Sequence, residues 1–355
     1  MDELSWEKKN EEIIKKLITK IQTLYSTAIK ECAKIGMSTP NFNPQKPFDS
    51  KNYPASIKKL QKITEKLAAD LRLTIEDGIN EGWGLSNAKN DSLCNFVCGK
   101  VINEVNENIH ARYFNNHTDA LNAFRLRKES GMNLSSRIWN LSEQFQEQIE
   151  MAIDLGLRDG LSAAKMATKL KQCLNDPNRL FRRVRDEHGE LRLSKAAKSY
   201  HPGRGKYRSS HKNAIRLART EVTMAYRTAD YLRIQDFDFV VGIEIHRSNH
   251  VFECSVCEAL KGLYPKDFKF VGWHTQCRCY PTTILKTDKE LERDMDLMLE
   301  GKIPTTESKN LVVSTPKGYK KYLSDNIERI ERAEKKGTLP YFIRDNRGYF
   351  DRATA

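Results

Sequence analysis

The chain has 355 residues, of which 39% are hydrophobic and 30% charged. That balance excludes a disordered or fibrous protein, and the length suits two or three domains. The 60 Lys and Arg outweigh the 47 Asp and Glu, leaving a net charge of +13, an excess expected of a protein that meets a polyanion such as nucleic acid or an acidic protein surface. The start, Met1-Asp-Glu-Leu, is acidic and leads into no apolar segment of secretory type, and no apolar run reaches the roughly 18 residues of a membrane span. The expected setting is a reducing cytoplasm, where the eight cysteines favour metal binding or free thiols over disulfides.

In chain order, Ile13, Ile14, Leu17, Ile21, Leu24, Ala28 and Ile29 recur at helical spacing and predict a helix over 3–36. Three prolines, Pro40, Pro44 and Pro47, make the next stretch a loop. Leu60, Ile63, Leu67, Leu71 and Ile75 predict a second helix over 56–78, which Gly78, Gly82 and Gly84 are expected to end before a third begins at Asn87. Cys94 and Cys98 on that third helix share one face without nearby partners, so apolar packing is expected of them. His110 and His117 are expected at the surface, and Trp83 and Trp139 as packing anchors. Ile138, Leu141, Phe145, Ile149 and Ile153 seam a helix over 135–156, and a short helix follows Ser162.

The most basic stretch runs over 179–216, with twelve Lys or Arg against three acids. Phe181-Arg182-Arg183-Val184-Arg185, a turn, and Glu190-Leu-Arg-Leu193 read as a two-stranded ribbon. Arg182, Arg183, Arg185, Lys195, Lys198, Arg204, Lys206, Arg208 and Lys212 are candidate phosphate contacts, with Tyr200 and Tyr207 interleaved for stacking. No base-reading element accompanies them, so such binding would be non-specific and salt-sensitive; a solvated loop beside an acidic partner accounts for the same charges.

A helix is expected over 215–234, then a buried strand over 239–245. Beyond it Cys254-Ser-Val-Cys257 and His274-Thr-Gln-Cys277-Arg-Cys279 have the spacing of a zinc knuckle, and offer five ligands where tetrahedral zinc takes four. In an extended Cys277-Arg278-Cys279 the two thiols point one way and Arg278 the other. The alternatives are a packed cluster of reduced thiols, with His274 hydrogen-bonded to Glu221, and a redox or catalytic thiol. A deaminase-type zinc site lacks its His-x-Glu: Glu244 precedes His246 rather than following it. Glu221 and Arg219, two residues apart on a helix, cannot face one another, and one of them is expected to reach His274 or the Arg278 segment. Helices are expected over 286–301 and 319–336, and an extended, docked segment over 339–346.

The Ala-Arg219-Thr220-Glu221 helix, the strand, Cys257 with Leu260 and Gly262, and the Gly-Trp-His274-x-x-Cys277-Arg278-Cys279 ending together resemble the Mu F-like head-morphogenesis proteins of tailed phages and prophages. The likeness runs from about 162 to 285. With the periodicities above, the chain reads as an α+β fold: a long-helical N-terminal region over 1–160, a compact module over 162–285, Mu F-like by its resemblance, with a small β-sheet and a Cys/His knuckle, and a helical C-terminal tail over 286–355. The resemblance implies a non-enzymatic minor capsid protein inside the virion head, assembled in the bacterial host cytoplasm. There it would associate with the portal protein and other head proteins and assist head assembly or DNA packaging and delivery. One structural Zn²⁺, bound through four of Cys254, Cys257, His274, Cys277 and Cys279, and non-specific contact with phage DNA complete that expectation. A non-specific nucleic-acid-binding zinc protein and a capsid-carried nuclease or toxin are the alternatives; the 70 residues beyond Leu285 are short for an appended toxin.

Overall fold

The computed structural model describes residues 3–38, 53–158, 161–175, 182–185, 188, 191–193, 207, 209–248 and 254–354. The protein is mostly helical with a small three-stranded antiparallel sheet, an α+β chain. Its residues form two compact units, each assembled from separate stretches of sequence: 1–14, 78–126 and 219–355 in one, and 15–77 and 127–218 in the other. This division cuts across the sequence-order regions 1–160, 162–285 and 286–355. The reason is that the long helices contribute residues to both units, which periodicity along one helix does not register.

Helix α1 spans Glu3–Met37, as expected. Helix α2 corrects the reading of the second and third helices: it runs unbroken over Pro54–Cys98, through all three glycines. Gly82 marks a close approach rather than an end. A Cβ there would lie 3.1 Å from the carbonyl oxygen of Val222 and 3.2 Å from its side chain, so the helix loses some propensity and gains a tight crossing. A 3₁₀ turn over Gly99–Asn103 leads to α3, Glu107–Tyr113, and α4, Thr118–Leu126. Asn106 caps α3 by accepting from the amide of Ile109 at 3.0 Å.

The unit made of 15–77 and 127–218 holds most of α1, α5 (Leu134–Arg158), α6 (Ala163–Asn175) and the start of α7 (Ser210–Asp236). Its core centres on Tyr25, fully buried, which meets Phe145 edge-on at 5.4 Å and hydrogen-bonds Ser210 at 2.6 Å. Ser210 Oγ donates in turn to the Leu141 carbonyl at 2.8 Å. The expected ribbon is present as β1, Arg182–Arg185, antiparallel to β2, Leu191–Leu193.

The other unit carries the sheet, in the order β4 (Gly262–Tyr264), β3 (Val240–His246), β5 (Tyr280–Leu285), with every pair antiparallel. Central β3 is buried as its β-branched run predicts. Against it packs an aromatic cluster of Tyr264, Phe268, Phe270, Trp273, Tyr319 and Phe342, each no more than 3% exposed. Trp273 meets Phe342 edge-on at 5.3 Å and lies 4.8 Å from Phe270. Each such ring contributes on the order of 1.5–3 kcal/mol by burial alone. Helices α8 (Ser255–Leu260), α9 (Asp288–Leu299), α10 (Lys317–Asp325), α11 (Ile327–Lys335), α12 (Tyr341–Arg344) and α13 (Arg347–Thr354) complete the unit. Two tail expectations are corrected. The single helix over 319–336 is two, meeting at Asn326, which closes α10 with its own amide and whose carbonyl starts α11. The segment over 339–346 is docked through Phe342 and Ile343 but helical, not extended, because Pro340 opens a turn there.

Glu290 in the first turn of α9 accepts from the backbone amides of Lys309 at 3.0 Å and Thr287 at 2.9 Å and from the Ser308 hydroxyl at 2.7 Å. Those donors hold its carboxyl down at about 2. A depressed folded-state pKa gives stability that is complete above the ordinary carboxylate range and is lost as pH falls toward about 2. Glu290→Gln is therefore expected to lower the unfolding midpoint at neutral pH, and that deficit should vanish as the medium is taken from pH 5 to pH 2. Thermal unfolding across that range checks it; a deficit independent of pH would refute the assignment.

Candidate metal centre

Two elements bring the five predicted ligands together. Cys254 lies one residue before α8 and Cys257 inside its first turn, so the Cys-x-x-Cys spacing puts both thiols at one end of a short helix. His274, Cys277 and Cys279 come from the turn that feeds β5. There the amide of Cys277 donates to the carbonyl of His274 at 3.0 Å, with Gln276 at a left-handed φ of 62°. Gly272 sits at φ 131°, and a Cβ there would lie 3.2 Å from that of Cys277; glycine satisfies both demands. Leu260 is fully buried and Gly262 takes φ 129° at the start of β4, which gives the Cys257-x-x-Leu-x-Gly run a physical reason. The alternation expected of Cys277-Arg278-Cys279 is present: the cysteines are 5% and 2% exposed, and Arg278 faces out.

The ligand atoms form two triads that share Cys257: Cys254, Cys257 and His274, and Cys257, Cys277 and Cys279. Within each, all atoms lie within 4.8 Å of one another. His274 Nε2 is 3.4 Å from Cys254 Sγ and 3.2 Å from Cys257 Sγ. Tetrahedral zinc with ordinary bond lengths separates a sulfur from a nitrogen by about 3.5 Å, so this edge is close to that of a zinc site. The imidazole is oriented for coordination, since Nδ1 donates to the Thr275 carbonyl at 2.8 Å and leaves the Nε2 lone pair toward the thiols. His274 thus bonds to a carbonyl, not to Glu221.

Electrostatics favour a cation as well. Hydrogen bonds from Cys257 and Cys279 pull the Cys277 thiol well below its usual range, while those with Cys277 and Cys279 push Cys257 far up; at Cys279 the bond with Cys257 lowers the thiol, but Cys277 and burial outweigh it and raise the group to about 12. Three thiols this close cannot all ionise unless positive charge joins them. Burial raises the Cys254 thiol, but hydrogen bonds from the backbone and thiol of Cys257, with a smaller contribution from the neighbouring imidazole, outweigh it and leave the group lowered. The donor set of soft sulfur and imidazole, without a carboxylate in either triad, has the character of a closed structural site rather than a hydrolytic one. These residues can hold a metal ion.

The expected link from the Arg-Thr-Glu helix to the knuckle is corrected. Arg219 Nη1 donates to both carboxylate oxygens of Glu11, at 2.9 and 2.6 Å. Glu11 belongs to a row on α1 that sequence reasoning missed: Glu3, Glu7 and Glu11, four residues apart and therefore on one face. Glu3 accepts from the amide and hydroxyl of Thr283, and Glu7 lies 4.0 Å from Arg227. Thr220 and Glu221 are buried. Beneath them Lys89 pairs with both oxygens of Asp230 at 2.9 Å, and Arg233, fully buried, donates to the Tyr113 carbonyl and Asp91.

Of the basic candidates, Arg182, Arg183 and Arg185 lie on β1 and Lys212 lies half-buried on α7. Lys195, Lys198, Arg204, Lys206 and Arg208 lie outside the described residues. Tyr207 is 44% exposed, with the Arg216 guanidinium 5.9 Å from its ring. Cys94 and Cys98 are buried, as expected; His117 bonds Asp236 at 2.7 Å, and Trp139 stays 45% exposed. No helix among the described residues is long and apolar enough to cross a membrane. Compared with protein-family models, curated proteins and solved structures, the chain matches none.

Proposed function

We propose that this is a minor head protein of a tailed phage or prophage, of the Mu F-like head-morphogenesis type, in which one zinc ion staples α8 to the turn before β5. The observation that carries the reading is the coincidence of the resembling residues with one folded locus. Arg219, Cys277 and Arg278 line a single cavity, and Cys257, Leu260 and Gly262 stand at the adjoining helix and strand. The thiolate-rich donor set supports a structural ion, and therefore an assembly protein rather than a capsid-carried nuclease or toxin. Its partners are the portal protein and other head proteins inside the virion head. The basic stretch over 179–216 supports salt-sensitive contact with packaged DNA.

The test is assembly. Co-expressed with the portal and major capsid proteins of a tailed phage or prophage of the same host, the chain is expected to sediment with procapsids and to co-purify with the portal. Procapsids that form normally and exclude the chain would refute the proposal.

A further inference from the structure

A cavity of about 440 Å³ opens between the first turns of α1, the middle of α7 and the Cys277–Tyr280 strip. Four cationic side chains line it, Lys8, Arg219, Arg227 and Arg278, against two carboxylates, Glu7 and Glu11. Glu11 is committed to Arg219. Arg227 is differently placed. Its side chain is 2% exposed, its nearest carboxylate oxygen is 4.0 Å away on Glu7, and its Nε and Nη1 have no hydrogen-bond partner among the described residues, sulfur included. Its guanidinium lies 5.1 Å from the Phe270 ring, a contact that holds it in place without satisfying its N–H groups.

A buried guanidinium with two idle donors is costly unless an anion completes it. Glu7 completes it only in part: its Oε2 stands 4.0 Å from Arg227 Nη2, beyond hydrogen-bond reach, and its Oε1 is itself without a partner. Thr223 and Tyr280 add hydroxyls to the same walls, and the buried Asn10 amide has an unpartnered Oδ1; its two ends are interchangeable, so it can present its NH₂ instead. We infer that this cavity binds the phosphate group of a small ligand, with Arg227 at its floor and Arg278 at its rim. Forked, planar donors from two guanidinium groups suit a tetrahedral oxyanion with several acceptor oxygens, and the volume leaves room for a nucleoside beyond the phosphate. The neighbouring Cys277 and Cys279 thiols accept no hydrogen bond from Arg227 Nε or Nη1, so a metal thiolate there would balance part of the charge and still leave those N–H groups open.

The experiment is calorimetric titration of the full chain with inorganic phosphate, pyrophosphate and adenosine monophosphate at constant ionic strength, with chloride as the control. Saturable one-to-one binding of at least one of the three is expected, weakened roughly tenfold in Arg278→Ala by loss of one charge-assisted contact. Arg227→Met should abolish it. If that variant fails to fold, exposed Arg278 decides the matter alone. Tighter binding of the nucleotide than of phosphate assigns the outer cavity to a nucleoside, and equal binding assigns the site to phosphate itself. No saturable binding, or binding undiminished in Arg278→Ala as the basic 179–216 stretch would give, overturns the inference.

Discussion

The purified protein is expected to carry about one zinc ion per chain, and Cys257→Ser to carry none. Cys257 is the ligand that both triads share, so its loss leaves two separate pairs of donors that no common ligand atom joins, where structural zinc takes four converging donors. Metal binding to such sites is coupled to folding. Losing it should lower the unfolding midpoint by on the order of 10 °C, the shift that roughly 3–5 kcal/mol produces in a unit of this size. Cys254→Ser and Cys279→Ser separate the ways of choosing four ligands from five: the variant that keeps its metal identifies the thiol left over. Elemental analysis beside thermal unfolding reads all of these. A folded wild-type chain without metal would sink the zinc centre, and the cluster would then be a set of packed, hydrogen-bonded thiols.

Lys89→Met should be nearly as damaging, for an unrelated reason. Lys89 and Asp230 are 2% and 1% exposed. Burial alone would lower the Lys89 pKa, but the carboxylate of Asp230, joined by Glu3 and Glu7, outweighs it and leaves the pKa raised, so Lys89 keeps its charge in the folded state. Removing the ammonium strands Asp230 with Asn90 Nδ2, 2.8 Å away, as its remaining donor among the described residues. The expected loss is ~3–5 kcal/mol in denaturant unfolding. The double variant Lys89→Met, Asp230→Leu should recover most of it, because two apolar side chains of similar volume leave no charge buried. Equal losses in the single and double variants would show that packing, not charge, sets the cost.

These two cases also show where sequence reading reaches and where it stops. The Cys/His cluster was legible because its members lie within 26 positions, Cys254 to Cys279, at spacings that chemistry restricts. The strand and most helices were legible because apolar periodicity is local. Gly78, Gly82 and Gly84 misled because glycine both ends helices and permits close crossings, and only the presence of Val222 against Gly82 decides between them. The partner of Arg219 was out of reach: Glu11 lies 208 positions away. One trace was available, since Glu3, Glu7 and Glu11 repeat at four-residue steps on one face of α1. A carboxylate row of that kind signals a cationic partner somewhere, without saying where. Lys89 gave even less, being one lysine among many until a buried aspartate is found opposite.

The bond between Glu3 and Thr283 joins positions 280 residues apart. During translation at ordinary bacterial speeds, the first turns of α1 leave the ribosome on the order of tens of seconds before their partners exist. For that interval Glu3, Glu7 and Glu11 stay hydrated on a helix end that has nothing to grip, and the unit they belong to closes only when the last third of the polypeptide has been made. An arrest of translation before residue 219 would therefore leave a nascent chain able to complete at most the other unit. The order of synthesis is in this way written into which carboxylate meets which arginine.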